Sequence, residues 1–182
     1  MLFWLGISSL IVYLLVGLEA AIGSRKIHFL RNISPVSSFS FQFPSLTLIV
    51  AARNEERNLR EAAQSLLALD YPNLQLIIVD DRSEDNTSKI LADLRAQDQR
   101  LEIIQVDELP EGWLGKNHAL WLASQNATGE LLLFTDADVV MEPDTLLRAV
   151  SFLVQGKIDH LAAIPGAQMP SLFLNMFGVT FG

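Results

Sequence analysis

The chain has 182 residues, half of them hydrophobic, a formal net charge of -8 and no cysteine. That length makes one domain with a real core plus a small appendage. The acidity argues against a nucleic-acid partner, which calls for a basic face, though not against an anionic small ligand held by a local cation; disulfides, thiol catalysis and cysteine-ligated zinc are excluded, and His28, His118 and His160 lack metal-ligand spacing.

In chain order, the first feature is "LFWLGISSLIVYLLVGL" at 2–18, uncharged, with apolar character continuing to Ile22 past Glu19. About 20 apolar residues span a bilayer, so a membrane helix is expected over 2–22. A cleaved signal peptide would want basic residues before a shorter apolar core, and none precede it. Arg25, Lys26 and Arg31 follow directly, which places the rest of the chain on the cytoplasmic side of the cell's inner membrane. The sequons at Asn32, Asn86 and Asn126 are then chance. The organisation reads as a membrane anchor over 1–24, a Ser- and Pro-rich linker over 25–44 and one domain over 45–182. Within the linker Phe39, Phe41 and Phe43 alternate, as in a short edge strand with one face on the core.

Strands and helices then alternate. "LTLIVAA" at 46–52 is a continuous apolar run, as in a strand covered on both faces. Leu59, Ala62, Ala63, Leu66 and Leu69 recur at helical spacing, with Asn54 as the expected N-cap. Strands follow at 74–80, 101–106 and 130–135, with a helix marked by Ile90, Leu91 and Leu94 and another over 116–127. Pro143 suits the first turn of a last helix with Leu146, Leu147, Val150, Leu153 and Val154 as its buried stripe, and "HLAAIP" at 160–165 suits a fifth strand. This alternation predicts an α/β domain with a largely parallel sheet.

Such sheets bind ligands at the carboxyl ends of their strands, and three strand ends here are polar: "ARNEE" at 52–56, "DDRSEDNT" at 80–87 and "TDADVV" at 135–140. Residues i and i+2 of an extended segment point the same way, so Asp136 and Asp138 are placed to share one hard divalent cation such as Mg²⁺ or Mn²⁺. Alone, an acid pair of this kind is as easily a helix-capping turn. Asp80 and Asp81 suit a nucleotide base or ribose, or equally a cap on the next helix. In "LPEGWLGKNHAL" at 109–120, Lys116 at a helix start makes an anion site; the plain alternative is a surface loop anchored by Trp113. The block is not a phosphate-binding P-loop, which needs Gly at Pro110 and Ser or Thr at Asn117.

Taken together, "LIVAARNEERNL", "LIIVDDRSEDNT", "GWLGKNHAL" and "LLLFTDAD" resemble, in order and spacing, the family 2 glycosyltransferases of the Rossmann-like GT-A fold, and the third block is similar to the membrane-associated hopanoid and carotenoid branch. The resemblance implies inverting, metal-dependent transfer of a sugar from a nucleotide-diphosphate donor, and the expected membrane helix, which would hold the site near the bilayer, suggests a lipid acceptor. It implies that Ala52, Arg53 and Glu55 line the nucleotide pocket, that Asp80 and Asp81 contact base or ribose, that Lys116 approaches the diphosphate, and that Asp136 and Asp138 hold Mn²⁺ or Mg²⁺ beside it. Two departures stand out. Trp121 replaces an Asn common in the family, and no acidic block for the general base follows, since Asp144 and Asp159 come early. The expectation is therefore an N-terminal fragment whose base lies beyond Gly182. A nucleotide-sugar-binding fragment without turnover is the first alternative. A phospho-acceptor receiver domain, which also carries "IIVDD" but on its first strand, is the second.

Overall fold

The computed structural model describes residues 2–24, 28–36, 42–163 and 165. The chain divides into two compact units, Met1–Ser34 and Pro35–Gly182. The first contains α1, Leu2–Ser24, and a single 3-10 turn, Leu30–Asn32. Leu10, Val12, Tyr13, Leu14 and Val16 on α1 are all exposed. Among the described residues no helix is long and apolar enough to cross a membrane, so the span expected over 2–22 is not supported. The segment does fold as a helix, and Gly6, Ser8, Ser9, Gly17 and Glu19 interrupt its apolar surface.

The second unit is a parallel sheet between helices. Its elements are β1 Leu46–Ala52, α2 Leu59–Leu67, β2 Leu74–Asp81, α3 Thr87–Gln97, β3 Leu101–Val106, α4 Gly115–Ser124, β4 Leu131–Asp136 and α5 Thr145–Gly156. The strand order is β3-β2-β1-β4, and every pairing is parallel. This is the α/β architecture that the alternating periodicity predicts.

The continuous apolar runs of β1 and β2 fold as central strands because helices cover both faces. On one side Leu48, Val50, Leu76 and Ile78 meet Leu59, Ala63 and Leu66 of α2, Leu91 and Leu94 of α3, and Leu146 and Val150 of α5. On the other, Ile49, Ile77 and Val79 pack on Ala119 and Ala123 of α4. Truncating one such fully buried Leu or Ile to Ala costs about 2–5 kcal/mol.

Several local expectations are corrected. β4 is an edge strand among the described residues, paired only with β1; Leu132 and Phe134 stand 47% and 50% exposed, so the run does not fold as a doubly covered strand. Residues 160–163 form no strand, and Ile164 lies outside the described residues. Asn54 does not cap α2: the helix starts at Leu59 after Asn58, with no side-chain cap, because Asn54 turns away at φ 56. Pro143 lies two residues before the start of α5, outside its first turn, and Asp144 is the residue before the helix. Of the alternating phenylalanines, Phe39 and Phe41 lie outside the described residues, while Phe43 packs edge-on against Tyr71 with centroids 5.6 Å apart. The Tyr71 hydroxyl donates to the Pro44 carbonyl at 2.7 Å, and burial pushes its pKa up to about 12.

Candidate functional site

The strand order reverses direction between β1 and β4, and in open parallel sheets the crevice outside the carboxyl ends at that point is where ligands bind. Register fixes what stands there. Ala51 of β1 pairs with Asp136 of β4, and Ala52 with Asp80 of β2. Asp81 pairs with Val106 at the end of β3. The polar strand ends thus share one rim.

The loops after β1 and β2 are tied to each other. The Asn54 amide donates to the Ser83 hydroxyl at 3.0 Å, and the Glu84 amide donates to Asn54 Oδ1 at 2.8 Å. The Glu55 amide donates to Thr87 Oγ1 at 2.9 Å and the Glu56 amide to Asp85 Oδ2 at 3.1 Å. Asn86 donates through its amide and its side chain to Glu56 Oε2 at 3.1 and 2.8 Å. These partners are 29–32 positions apart in the chain, so the bonds hold two strand ends in fixed relation.

Asp80 and Asp81 are buried, 2% and 3% exposed, and both carboxylates are engaged. Asp80 accepts from the Ser83 amide at 3.3 Å and from the Ser88 hydroxyl. Asp81 receives Arg82 through Nε at 2.8 Å and Nη2 at 3.1 Å, a bidentate pair that gives geometry as well as energy. Arg82 reaches it from a left-handed backbone, φ 57. The start of α4 presses on this pair: a Cβ on Gly115 would stand 2.5 Å from Asp81 Oδ2 and 2.6 Å from Arg82 Nη2. Glycine is therefore what lets α4 begin here and place Lys116 at the rim.

Lys116 Nζ forms an ion pair with Asp136 Oδ1, with both side chains largely exposed. β4 ends at Asp136, and a turn closed by the Val139 amide on the Asp136 carbonyl at 3.4 Å follows it. Asp136 and Asp138 are both exposed while Ala137 between them is buried; a turn, rather than strand alternation, brings the pair out. Burial, then the charges of Asp138, Asp85 and Asp136, push the Glu55 carboxyl above its ordinary value. Glu55 at the end of β1 therefore feels the acids at the end of β4. Among the described residues no group of three or more histidine, cysteine, aspartate or glutamate side chains is gathered closely enough to hold a metal by itself. Two carboxylates with a cation's remaining positions filled by phosphate oxygens and water is the ordinary Mg²⁺ arrangement, and the oxygen-only donor set fits it.

Of the residues singled out in the sequence, Ala52, Glu55, Asp80, Asp81, Lys116, Asp136 and Asp138 come to this rim, with Arg53 exposed beside them. Sequence reasoning did not find the cross-stitch of Asn54, Ser83, Thr87 and Glu56; the density of short polar side chains in both strand-end blocks was its only trace. Asp144, one of the two acids following the site, is held by Arg148 at 2.6 Å, which pulls its carboxyl below the ordinary value.

The sequence profile described as "Glycosyl transferase family 2" matches residues 47–174. A beta-monoglucosyldiacylglycerol synthase of Trichormus variabilis is 34% identical over 117 residues, which are 63% of this chain and 25% of that protein. A 4,4'-diaponeurosporenoate glycosyltransferase of Staphylococcus haemolyticus is 30% identical over 106 residues, 58% of this chain and 27% of that protein. This chain thus spans about a quarter of the length of these relatives. A mannosyltransferase from Pyrobaculum calidifontis, solved with GDP-Man and Mn²⁺, superposes with a TM-score of 0.61 at 27% identity, covering 88% of this chain and 45% of that one.

Proposed function

This chain belongs to glycosyl transferase family 2, and from that premise we propose that its rim binds a nucleotide-diphosphate sugar for transfer to a lipid acceptor. The observation that carries the reading is the meeting of Lys116, Asp136 and Asp138 at the carboxyl ends beside the strand-order reversal. The mannosyltransferase relative, seen with a nucleotide sugar and Mn²⁺, supports the donor class and the metal. The two relatives whose names give a diacylglycerol and a carotenoid acid support an apolar acceptor.

An acceptor hydroxyl attacks the anomeric carbon from the face opposite the diphosphate, the carbon–oxygen bond to the diphosphate breaks, and the hydroxyl proton passes to a base. Ala52, Arg53 and Glu55 line the nucleotide, with Asp80 and Asp81 shaping the base and ribose end. Asp136 and Asp138 would hold the Mn²⁺ or Mg²⁺, which would supply stabilisation of negative charge on the departing diphosphate. Lys116 then exchanges Asp136 for a diphosphate oxygen, moving one positive charge by a side-chain rotation. Asp144 is a poor proton acceptor because Arg148 stabilises its charged form. The exposed apolar residues of α1 suit contact with a lipid surface, in keeping with an apolar acceptor.

Calorimetric titration of a nucleoside diphosphate tests the reading. Binding should tighten at least about tenfold with Mn²⁺, and Asp138→Ala should remove most of that gain. Equal affinity with and without Mn²⁺ would sink the metal role. The receiver alternative has no support here: the "IIVDD" acids end the second strand, and Arg82, Ser83 and Ser88 already engage them.

A further inference from the structure

Three aromatic side chains from the loop before α4 and from its first two turns gather on one flank of the helix. Trp113 meets His118 edge-on, centroids 5.4 Å apart, and lies 5.2 Å from Trp121 at an interplanar angle of 37°. His118 and Trp121 are 6.1 Å apart. The two indoles are 37% and 47% exposed, whereas His118 is 8% exposed. Its Nδ1 is buried and, among the described residues, without a hydrogen-bond partner, a state that native interiors rarely leave unanswered. On a helix, His118 and Trp121 stand about 160° and about 140° around the axis from Lys116. This cluster therefore occupies the flank turned away from the proposed diphosphate contact.

We propose that this indole shelf binds a neutral saccharide, one ring lying on the indoles and a hydroxyl reaching His118 Nδ1. A pyranose has an apolar C–H face and a rim of hydroxyls. Two exposed, mutually tilted indoles offer a broad apolar platform with little conformational entropy to lose. The buried imidazole nitrogen supplies one hydrogen-bonding group, and the exposed acids Asp107, Glu108 and Glu111 of the same loop supply acceptors for others. Trp113 is the ring that covers His118 from that loop. It follows Gly112, whose φ of 82 is the left-handed conformation that glycine takes freely; the proposal requires this loop to turn Trp113 aside so that a hydroxyl reaches the nitrogen.

Two other occupants fit less well. A quaternary ammonium needs rings arranged around an open centre, and these indoles are in contact with each other. An anionic bilayer surface would be repelled by the three loop carboxylates. The inference goes beyond the donor site and does not require it.

The test is titration with maltose, a neutral disaccharide, followed by calorimetry and by tryptophan emission; two of the chain's three tryptophans lie in the shelf. Maltose should bind with a dissociation constant of about 1–10 mM and change the emission. Trp121→Ala and Trp113→Ala should each weaken it at least about tenfold. His118→Phe, which keeps an aromatic ring but removes the nitrogen, should weaken it about fivefold. Nucleoside-diphosphate affinity in Trp121→Ala should stay within about twofold of wild type, so that failure of the donor reading and failure of this one are separable. No heat and no emission change with maltose would overturn the proposal. So would tetramethylammonium binding in its place, or phosphatidylglycerol vesicles capturing the wild type but not Trp121→Ala while maltose does nothing.

Discussion

The strand ends of β1 and β2 and the strand end of β4 share a rim, yet they are built in opposite ways. Between the first two, carboxylates and hydroxyls are spent on the protein itself: Asp80 and Asp81 are buried and engaged, and six hydrogen bonds cross from one loop to the other. At β4, Asp136 and Asp138 are exposed, and the ion pair from Lys116 to Asp136 is the link to the neighbouring helix. Exposed pairs of that kind contribute about 0–1 kcal/mol. The difference separates scaffold from instrument. A carboxylate whose lone pairs are filled by protein donors sets geometry, while one that keeps them open can take a cation.

The widest separation is expected between Asp81→Ala and Asp138→Ala. Removing Asp81 strands the Arg82 guanidinium, whose side chain is 21% exposed in the pair. Losing the bidentate partner that orients it should lower the urea midpoint. Asp138→Ala should change stability by less than about 0.5 kcal/mol while losing the Mn²⁺-dependent part of nucleotide binding. Equal destabilisation by the two would erase the distinction between the regions.

A middle-sized effect is expected at Asn54. Its side chain accepts from the Glu84 amide, and its backbone sits at φ 56, where a residue with a short polar side chain is favoured. Asn54→Ala loses the bond and strains the turn together, about 1–2 kcal/mol. Nucleotide affinity should fall as well, because the loop carrying Arg53 and Glu55 loses one of its six bonds to the loop after β2. A stability loss with unchanged affinity would show that the cross-stitch holds the fold but does not position the pocket.

How much of this was readable beforehand follows the same division. The central strands were legible because burial on both faces leaves an unbroken apolar run, and β1 and β2 carry one each. β4 carries a similar apolar run, yet Leu132 and Phe134 are half exposed, because β4 is an edge strand among the described residues and α4 lies over β1 and β2 instead. The acids at the rim were legible because a carboxylate at the end of such a run has no apolar explanation. Which acids stay open was not legible. "DDRS" and "TDAD" look alike as strings, and only the left-handed turn at Arg82 and the approach of Gly115 make Asp81 a structural group. Asn54 as a helix cap failed for the same reason, since its partner is 30 positions away in the chain.

The smallest effect expected is a pH dependence at Glu55, and it probes whether the two regions touch. Burial and the charges of Asp138, Asp85 and Asp136 raise its carboxyl above the ordinary value. The folded state therefore holds a proton that the unfolded chain has already released, so this group's contribution to stability is present at low pH. It is lost as the pH rises from the ordinary glutamate value through the raised one. Glu55→Gln removes the charge that the neighbouring acids oppose. Its thermal midpoint should exceed that of the wild type at pH 7, and the gain should vanish as the pH falls below the ordinary carboxylate range. Asp138→Asn should reproduce part of that gain and make the Glu55→Gln change smaller in the double variant, because Asp138 is the foremost charge acting on Glu55. Additive effects of the two substitutions would mean that the strand ends of β1 and β4 are electrostatically independent, and that Glu55 does not sense the acid pair proposed to hold the cation.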